Sequence, residues 1–88
     1  MEEDNAPVKE VAYVNVTLYN NSESRINIEI QGPKERRFGY GAPINGFRKR
    51  KERFPVGTQI YLKRAVLNDR LLVTITEEDA GKTVNLFE

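Results

Sequence analysis

The sequence predicts an all-β domain, a small antiparallel β-sandwich of immunoglobulin-like type with about seven strands. Short runs in which apolar and polar residues alternate recur along the chain, with turn residues between them. Helical periodicity over ten or more residues appears nowhere. The runs begin near residues 11, 25, 37, 47, 58, 70 and 83, a spacing of 10 to 14 residues that is typical of a sandwich. The alternative is a five-stranded barrel of OB or SH3-like type, which applies if the runs near 37 and 83 do not pair.

The chain length of 88 residues predicts a single domain over residues 11–88. Residues 1–10 have few large apolar side chains, and we interpret them as a flexible acidic arm. The acidic start is the reverse of a signal peptide, so two compartments stay open: the cytoplasm, or export with a signal already removed. No apolar run reaches the roughly 18 residues of a membrane-spanning helix, so we expect no span.

Two alternating runs open the domain. Val14, Val16 and Leu18 share one face of the first, and three isoleucines at 26, 28 and 30 share one face of the second. The polar link 20–24 predicts an antiparallel hairpin between the two runs.

The later runs follow the same pattern with different turn residues. Glycines within 36–42 predict a bulge or an irregular strand path, and Asn45-Gly46 predicts a type I′ hairpin turn. Pro55-Val56-Gly57 predicts a turn, and 76–81 predicts one short helical turn capped by Thr76. The alternation places one set of side chains in the core: Val14, Val16, Leu18, Ile26, Ile28, Ile30, Ile60, Leu62, Leu71, Val73, Ile75, Val84 and Leu86.

The charge distribution is uneven although the net charge is only +1. Residues 25–70 contain twelve Lys/Arg and four Asp/Glu, whereas residues 1–24 contain one Lys and five acids, and residues 71–88 one Lys and four acids. A basic middle (+8) therefore lies between acidic ends (−4 and −3).

The densest basic segment is 48–53, and we expect it to form an edge strand or a projecting loop because unpaired charges are costly to bury. Its charges have two interpretations: they prevent edge-to-edge aggregation, or they bind an anionic protein or polymer surface. Under the second, the binding surface consists of Arg36, Arg37, Phe47, Arg48, Lys49, Arg50, Lys51, Arg53 and Phe54. The acidic arm could fold back on this patch or pair with the patch of a second copy.

Composition narrows the function further. The chain has no Cys and no His, which excludes thiol nucleophiles, histidine triads and the usual zinc sites. We expect no cofactor and no catalysis, and interpret the protein as a non-catalytic binding module. The alternative is a small barrel that binds single-stranded nucleic acid, since aromatic residues lie among the basic ones; no RNP-type or GxxG-type motif accompanies them.

Overall fold

A computed structural model describes residues 11–88 as seven strands and one 3₁₀ turn, arranged in two sheets around a common core. The arm expected at residues 1–10 lies outside the described residues. The elements are β1 Tyr13–Tyr19, β2 Ile26–Gln31, β3 Gly39–Ile44, β4 Lys49–Pro55, β5 Gln59–Leu62, β6 Arg70–Thr74, the 3₁₀ turn Glu77–Asp79 and β7 Thr83–Asn85.

The strand orders are β4-β1-β7 in one sheet and β3-β2-β5-β6 in the other. Every pair is antiparallel except β1 with β7, which run parallel. The seven-stranded β-sandwich is therefore confirmed, and the barrel alternative does not apply because β3 and β7 both pair. An immunoglobulin constant-type domain places strands one, two, four and five in one sheet. This chain has the same sandwich architecture but groups strands one, four and seven.

The expected hairpin between β1 and β2 is wrong. β1 pairs with β4 and β7, whereas β2 pairs with β3 and β5 in the other sheet. The link between them is an arch that crosses from sheet to sheet. Alternation predicts which side chains face the core, and an arch satisfies it as well as a hairpin does, because both strands still bury one face.

The arch is held by the side chain of Asn20, which is fully buried. Its Nδ2 donates to the carbonyl oxygens of Ser24, Ile44 and Asn45 at 2.8, 3.0 and 3.1 Å. Its Oδ1 accepts from the backbone N–H and the hydroxyl of Ser22 at 3.1 and 2.7 Å. One amide therefore joins the β1–β2 arch to the start of the β3–β4 link, and its own burial carries little cost because its hydrogen bonds are made.

The Asn45-Gly46 link does not form the expected type I′ hairpin turn, because β3 and β4 lie in different sheets. The positive φ in this link belongs to Phe47, at 56°, and not to Gly46. A Cβ on Gly46 would overlap the carbonyl oxygen of Glu23 in the arch. Gly46 is therefore required by the close approach of two sheet crossings and not by a turn conformation.

Two of the other local predictions are confirmed and one is wrong. The Pro55-Val56-Gly57 turn is present: Gly57 has φ 99°, and the N–H of Thr58 donates to the Pro55 carbonyl at 3.1 Å. The short helical turn is present as well, and the Asp79 carboxylate accepts from the N–H of Thr76 at 2.8 Å. The bulge expected at 36–42 is absent, since β3 pairs with β2 in unbroken register.

The core contains most of the side chains that alternation places inside: Val14, Val16, Leu18, Ile28, Ile30, Ile60, Ile75 and Leu86. Ile26, Val73 and Val84 are half-buried and pack against this cluster. Three further core residues were not expected, namely Ala42, Ile44 and Phe54.

Two leucines predicted to be core lie elsewhere. Leu62 is only half-buried, and Leu71 is 46% exposed. Ile60 pairs with Val73, but the next residue of β5 pairs with Leu71, so one residue of β6 has no partner. A bulge of this kind shifts the alternation by one residue and turns Leu71 to the outer face.

The bulge predicts that two substitutions, each shortening a branched four-carbon side chain to a methyl group, change the free energy of unfolding unequally. Ile28→Ala should lower the free energy of unfolding by about 2–5 kcal/mol because it empties a fully buried site. Leu71→Ala should lower it by less than about 1 kcal/mol because the side chain lies at the surface. Urea denaturation followed by circular dichroism measures both values, and equal losses would contradict the outward position of Leu71.

Asn20→Ala should destabilise the domain by at least about 2 kcal/mol, because it leaves the buried Ile44 carbonyl and its neighbours without a donor at roughly 1–3 kcal/mol each. Asn27→Ala is the matched control, since Asn27 is an exposed asparagine of β2. The same denaturation experiment compares them. If both variants unfold at the same urea concentration, the Asn20 amide does not hold the crossings.

Candidate functional site

β4 is an edge strand of the three-stranded sheet, as expected for the basic segment. Its register on β1 pairs Arg53 with Asn15, Lys51 with Thr17 and Lys49 with Tyr19. Because the intervening residues of β1 are buried, these pairs lie on the outer face of the sheet. The three cations therefore form a row, about 6.5–7 Å from one to the next.

Tyrosine rings from β1 lie beneath two cations of this row. The Arg53 guanidinium carbon is 4.7 Å from the centroid of the Tyr13 ring, and Lys49 Nζ is 5.7 Å from that of Tyr19. Each such contact contributes about 0.5–1 kcal/mol at an exposed site and orders a long side chain. We call Tyr13, Tyr19, Lys49, Lys51 and Arg53 the basic face.

The basic face carries only positive charge. Thr83 and Asn85 of β7 continue the outer surface beyond β1, opposite Thr17 and Tyr19. Among the described residues of these three strands, no acidic side chain lies on the outer face. An anion that approaches the outer face of these three strands is therefore attracted by the cations, and the nearby acidic residues belong to the 3₁₀ turn Glu77–Asp79, which packs against β1.

The alternate residues of β4, Arg50 and Glu52, point the other way and are half-buried. Arg50 pairs with Leu18 and Glu52 with Val16, so both side chains turn toward the inner face at the edge of the sandwich. Glu52 Oε1 accepts from Arg50 Nε at 2.9 Å, and Glu52 Oε2 accepts a hydrogen bond from the Tyr40 hydroxyl. These partners make partial burial of the charges tolerable.

Tyr40 comes from β3, the edge strand of the opposite sheet, so its bond to Glu52 links the two sheets. Its ring stacks on Phe38 with 5.9 Å between centroids. Burial raises the pKa of Tyr40 well above its ordinary value, and the hydrogen bond and negative charge of Glu52 raise it further. The phenol therefore stays a neutral donor.

The structure separates the residues that the sequence grouped into one binding surface. Lys49, Lys51 and Arg53 lie together on the basic face, and Arg48 is exposed just before β4. Arg36 and Arg37 belong to the link between β2 and β3, in the other sheet. Arg37 lines a groove on the outer side of that sheet, so it faces away from the row of cations.

The two phenylalanines of the predicted surface differ in burial. Phe54 is 1% exposed and belongs to the core, so it is not available to a partner. Its burial follows from the register, which sets it opposite Val14 on the inner face. Phe47 is 60% exposed beside the Lys49 end of β4, where its N–H donates to the Asn20 carbonyl at 2.9 Å.

Tyr13 and Tyr19 are the residues of this site that the sequence did not indicate. Alternation in β1 does place both on the outer face, so the sequence predicts which face they occupy. It does not predict the pairing of β1 with β4, which brings the rings under the cations. No short-range pattern encodes that pairing, because 30 residues separate Tyr19 from Lys49.

No family model, curated protein sequence or solved structure significantly matches this chain. Within residues 11–88, no acidic side chains cluster in a group of three or more that could hold a metal ion. The same residues include no helix of the length and apolarity needed to cross a membrane.

The raised pKa of Tyr40 predicts a pH dependence of stability. Its contribution is complete below the ordinary tyrosine pKa and declines as the pH rises past that value, because the unfolded chain ionises first. Tyr40→Phe should therefore show a shallower loss of stability above about pH 10 than the parent chain. Urea midpoints across the alkaline range measure the difference, and parallel curves would show that Tyr40 does not contribute.

Proposed function

We propose that the protein is a non-catalytic interaction module that binds an acidic polypeptide segment along β4, through the basic face. The observation that carries the proposal is the row of Lys49, Lys51 and Arg53, on a face where the outward residues of β1, β4 and β7 include no acidic side chain. Clustered charge of one sign raises the encounter rate with an oppositely charged partner and selects against cationic ones.

The geometry of the row suits an extended chain. Alternate residues of a β-strand lie about 6.5–7 Å apart, which is the spacing of the three cations. Carboxylates at alternate positions of an extended acidic segment have the same spacing, so each can face one cation. The Arg53 guanidinium can in addition form a bidentate pair with a carboxylate.

The contacts of the tyrosines favour an acidic polypeptide over single-stranded nucleic acid. Base-stacking sites need an open aromatic face. Here a cation occupies one face of the Tyr13 ring and another lies over Tyr19. The rings orient cations, and a base that stacked on the same faces would have to displace them.

The non-catalytic part of the proposal rests on residue chemistry. His and Cys do not occur in the chain. Glu52, the carboxylate within the basic segment 48–53, is held by Arg50 and Tyr40. It therefore serves the sandwich edge and is not free to exchange protons with a substrate.

Charge reversal of the row tests the proposal. K49E/K51E/R53E should weaken binding of a fluorescently labelled glutamate-rich peptide by more than about tenfold, because three attractions become repulsions. R25E/K34E/R36E is the matched control, since it makes the same change in net charge at exposed positions away from β4. Fluorescence polarisation measures both, and parent binding should weaken steeply as salt is added.

The possible results separate the functions. Loss of peptide binding in the β4 variant but not in the control supports the proposal. If the β4 variant and the control both bind the peptide as tightly as the parent chain does, the charges of β4 only protect an open edge. Tighter binding of a thymidine oligonucleotide than of the peptide would replace the acidic polypeptide by single-stranded nucleic acid. A β4 variant that unfolds would show that these side chains are structural, which circular dichroism detects.

A further inference from the structure

The outer side of the four-stranded sheet contains a groove of about 750 Å³, on the opposite side of the sandwich from the basic face. Its floor is formed by outward residues of three strands: Glu29 and Gln31 of β2, Gly39 of β3 and Gln59 of β5. The link between β2 and β3 forms one wall, with Arg37 and Phe38 among its lining residues. The volume lies within the range of small-ligand sites.

Gly39 helps to keep this groove open, and Gly41 follows it on the same face of β3. Gly39 and Gly41 both face outward on β3, opposite Gln31 and Glu29, where a strand would ordinarily present side chains. Glycine weakens a strand interior, by roughly 0.5–1 kcal/mol relative to alanine in regular elements, and it marks a bulge, a bend or the close approach of a ligand or another backbone.

Neither a bulge nor a bend explains Gly39 and Gly41. Neither has a positive φ, and the register of β3 on β2 is unbroken. A Cβ on Gly39 would lie 3.6 Å from Glu29 Oε2, and one on Gly41 would lie 3.6 Å from the Ile28 carbonyl oxygen, both ordinary contacts. A methyl group would therefore fit the fold at either position, and at Gly39 it would take up part of the open space of the groove.

The lining offers both donors and acceptors. Glu29 supplies a carboxylate, Gln31 and Gln59 supply amides, and Arg37 supplies a guanidinium. The side-chain oxygen Oε1 of Gln59 accepts from the Tyr61 hydroxyl at 2.9 Å. This bond orients the side-chain amide and leaves its NH₂ group as a donor.

The apolar part of the groove is a ring rather than an aliphatic patch. Phe38 is half-buried, and its ring lies where a Cβ on Gly32 would be. The ring also stacks on Tyr40 and packs against the core, so only the part of it that these contacts leave free lines the groove. This free part, beside convergent polar groups, suits a ligand with both C–H groups and hydroxyl groups.

The charges of the lining balance. Lys34 and Arg37 oppose Glu29 and Glu35, and Glu29 has a further partner in Lys63, at 3.6 Å. The groove therefore has little preference for an anion or a cation, in contrast to the basic face. From the open floor, the paired hydrogen-bonding groups and the ring, we propose that this groove binds a neutral polyhydroxylated ligand, a short oligosaccharide. This site does not depend on the function proposed for the basic face.

Two-dimensional ¹H–¹⁵N NMR of the labelled protein tests the proposal. Disaccharides of glucose, galactose, N-acetylglucosamine and xylose are titrated separately, with sorbitol as an acyclic polyol. At least one disaccharide should give saturable shifts of the Gly39, Gln31 and Gln59 amides. Sorbitol should bind at least about tenfold more weakly because it presents no ring face to Phe38.

Gly39→Val should abolish these shifts while the fold and its stability are kept or improved, since valine favours strands. Asn27→Val is the matched control, because Asn27 is exposed on β2 outside the groove. Gln31→Leu keeps the bulk but removes the amide, and should weaken binding at least about tenfold.

Shifts that disappear in Gly39→Val and persist in Asn27→Val support the proposal. The absence of saturable shifts with every disaccharide, up to its solubility limit, would overturn it. Shifts that survive both Gly39→Val and Gln31→Leu would overturn it as well, because the sugar would then bind elsewhere. If Gly39→Val unfolds, Gln31→Leu alone decides, by loss or retention of the shifts.

Discussion

The buried amide of Asn20 is the interaction on which the arrangement of this sandwich depends. It satisfies carbonyl groups in the β1–β2 arch and at the start of the β3–β4 link, so two of the crossings between the sheets meet at one side chain. An unsatisfied carbonyl at this depth would cost about 1–3 kcal/mol, so these hydrogen bonds stabilise the crossed arrangement. The neighbouring Asn21 repeats the device at the chain end, since its amide exchanges two hydrogen bonds with the backbone of Phe87, at 2.7 and 2.9 Å.

The basic face follows from this crossing. Because the arch carries the chain out of the first sheet, β2 does not occupy the edge of β1, and β4 pairs there in a register of seven residues. That register sets Lys49 opposite Tyr19 and brings Arg53 over Tyr13. The same pairing turns Phe54 into the core, which removes one aromatic residue from the surface that the sequence suggested.

The sequence predicts strand positions and core-facing sides well, because period two is a local property that each strand expresses by itself. It fails where the outcome depends on a partner. The arch at Asn20 and a hairpin have the same alternation, and the turn residues of Asn45-Gly46 serve a close approach instead of a tight turn. The outward position of Leu71 depends on a bulge that changes the phase of β6 partway along the strand. The row of cations was visible in the sequence, whereas the rings beneath it required the pairing of β1 with β4.

The two interpretations of the basic segment do not exclude one another, because β4 assigns them to different side chains. The inward residues Arg50 and Glu52 close the sandwich edge with Tyr40 from the opposite sheet, and this contact is structural. The outward residues have no such partner in the described chain other than the tyrosine rings, which order them without neutralising their charge. Charge is one device by which an edge strand resists self-pairing. Alternation then allows one half of that charge to stabilise the fold while the other half stays available to bind an acidic chain.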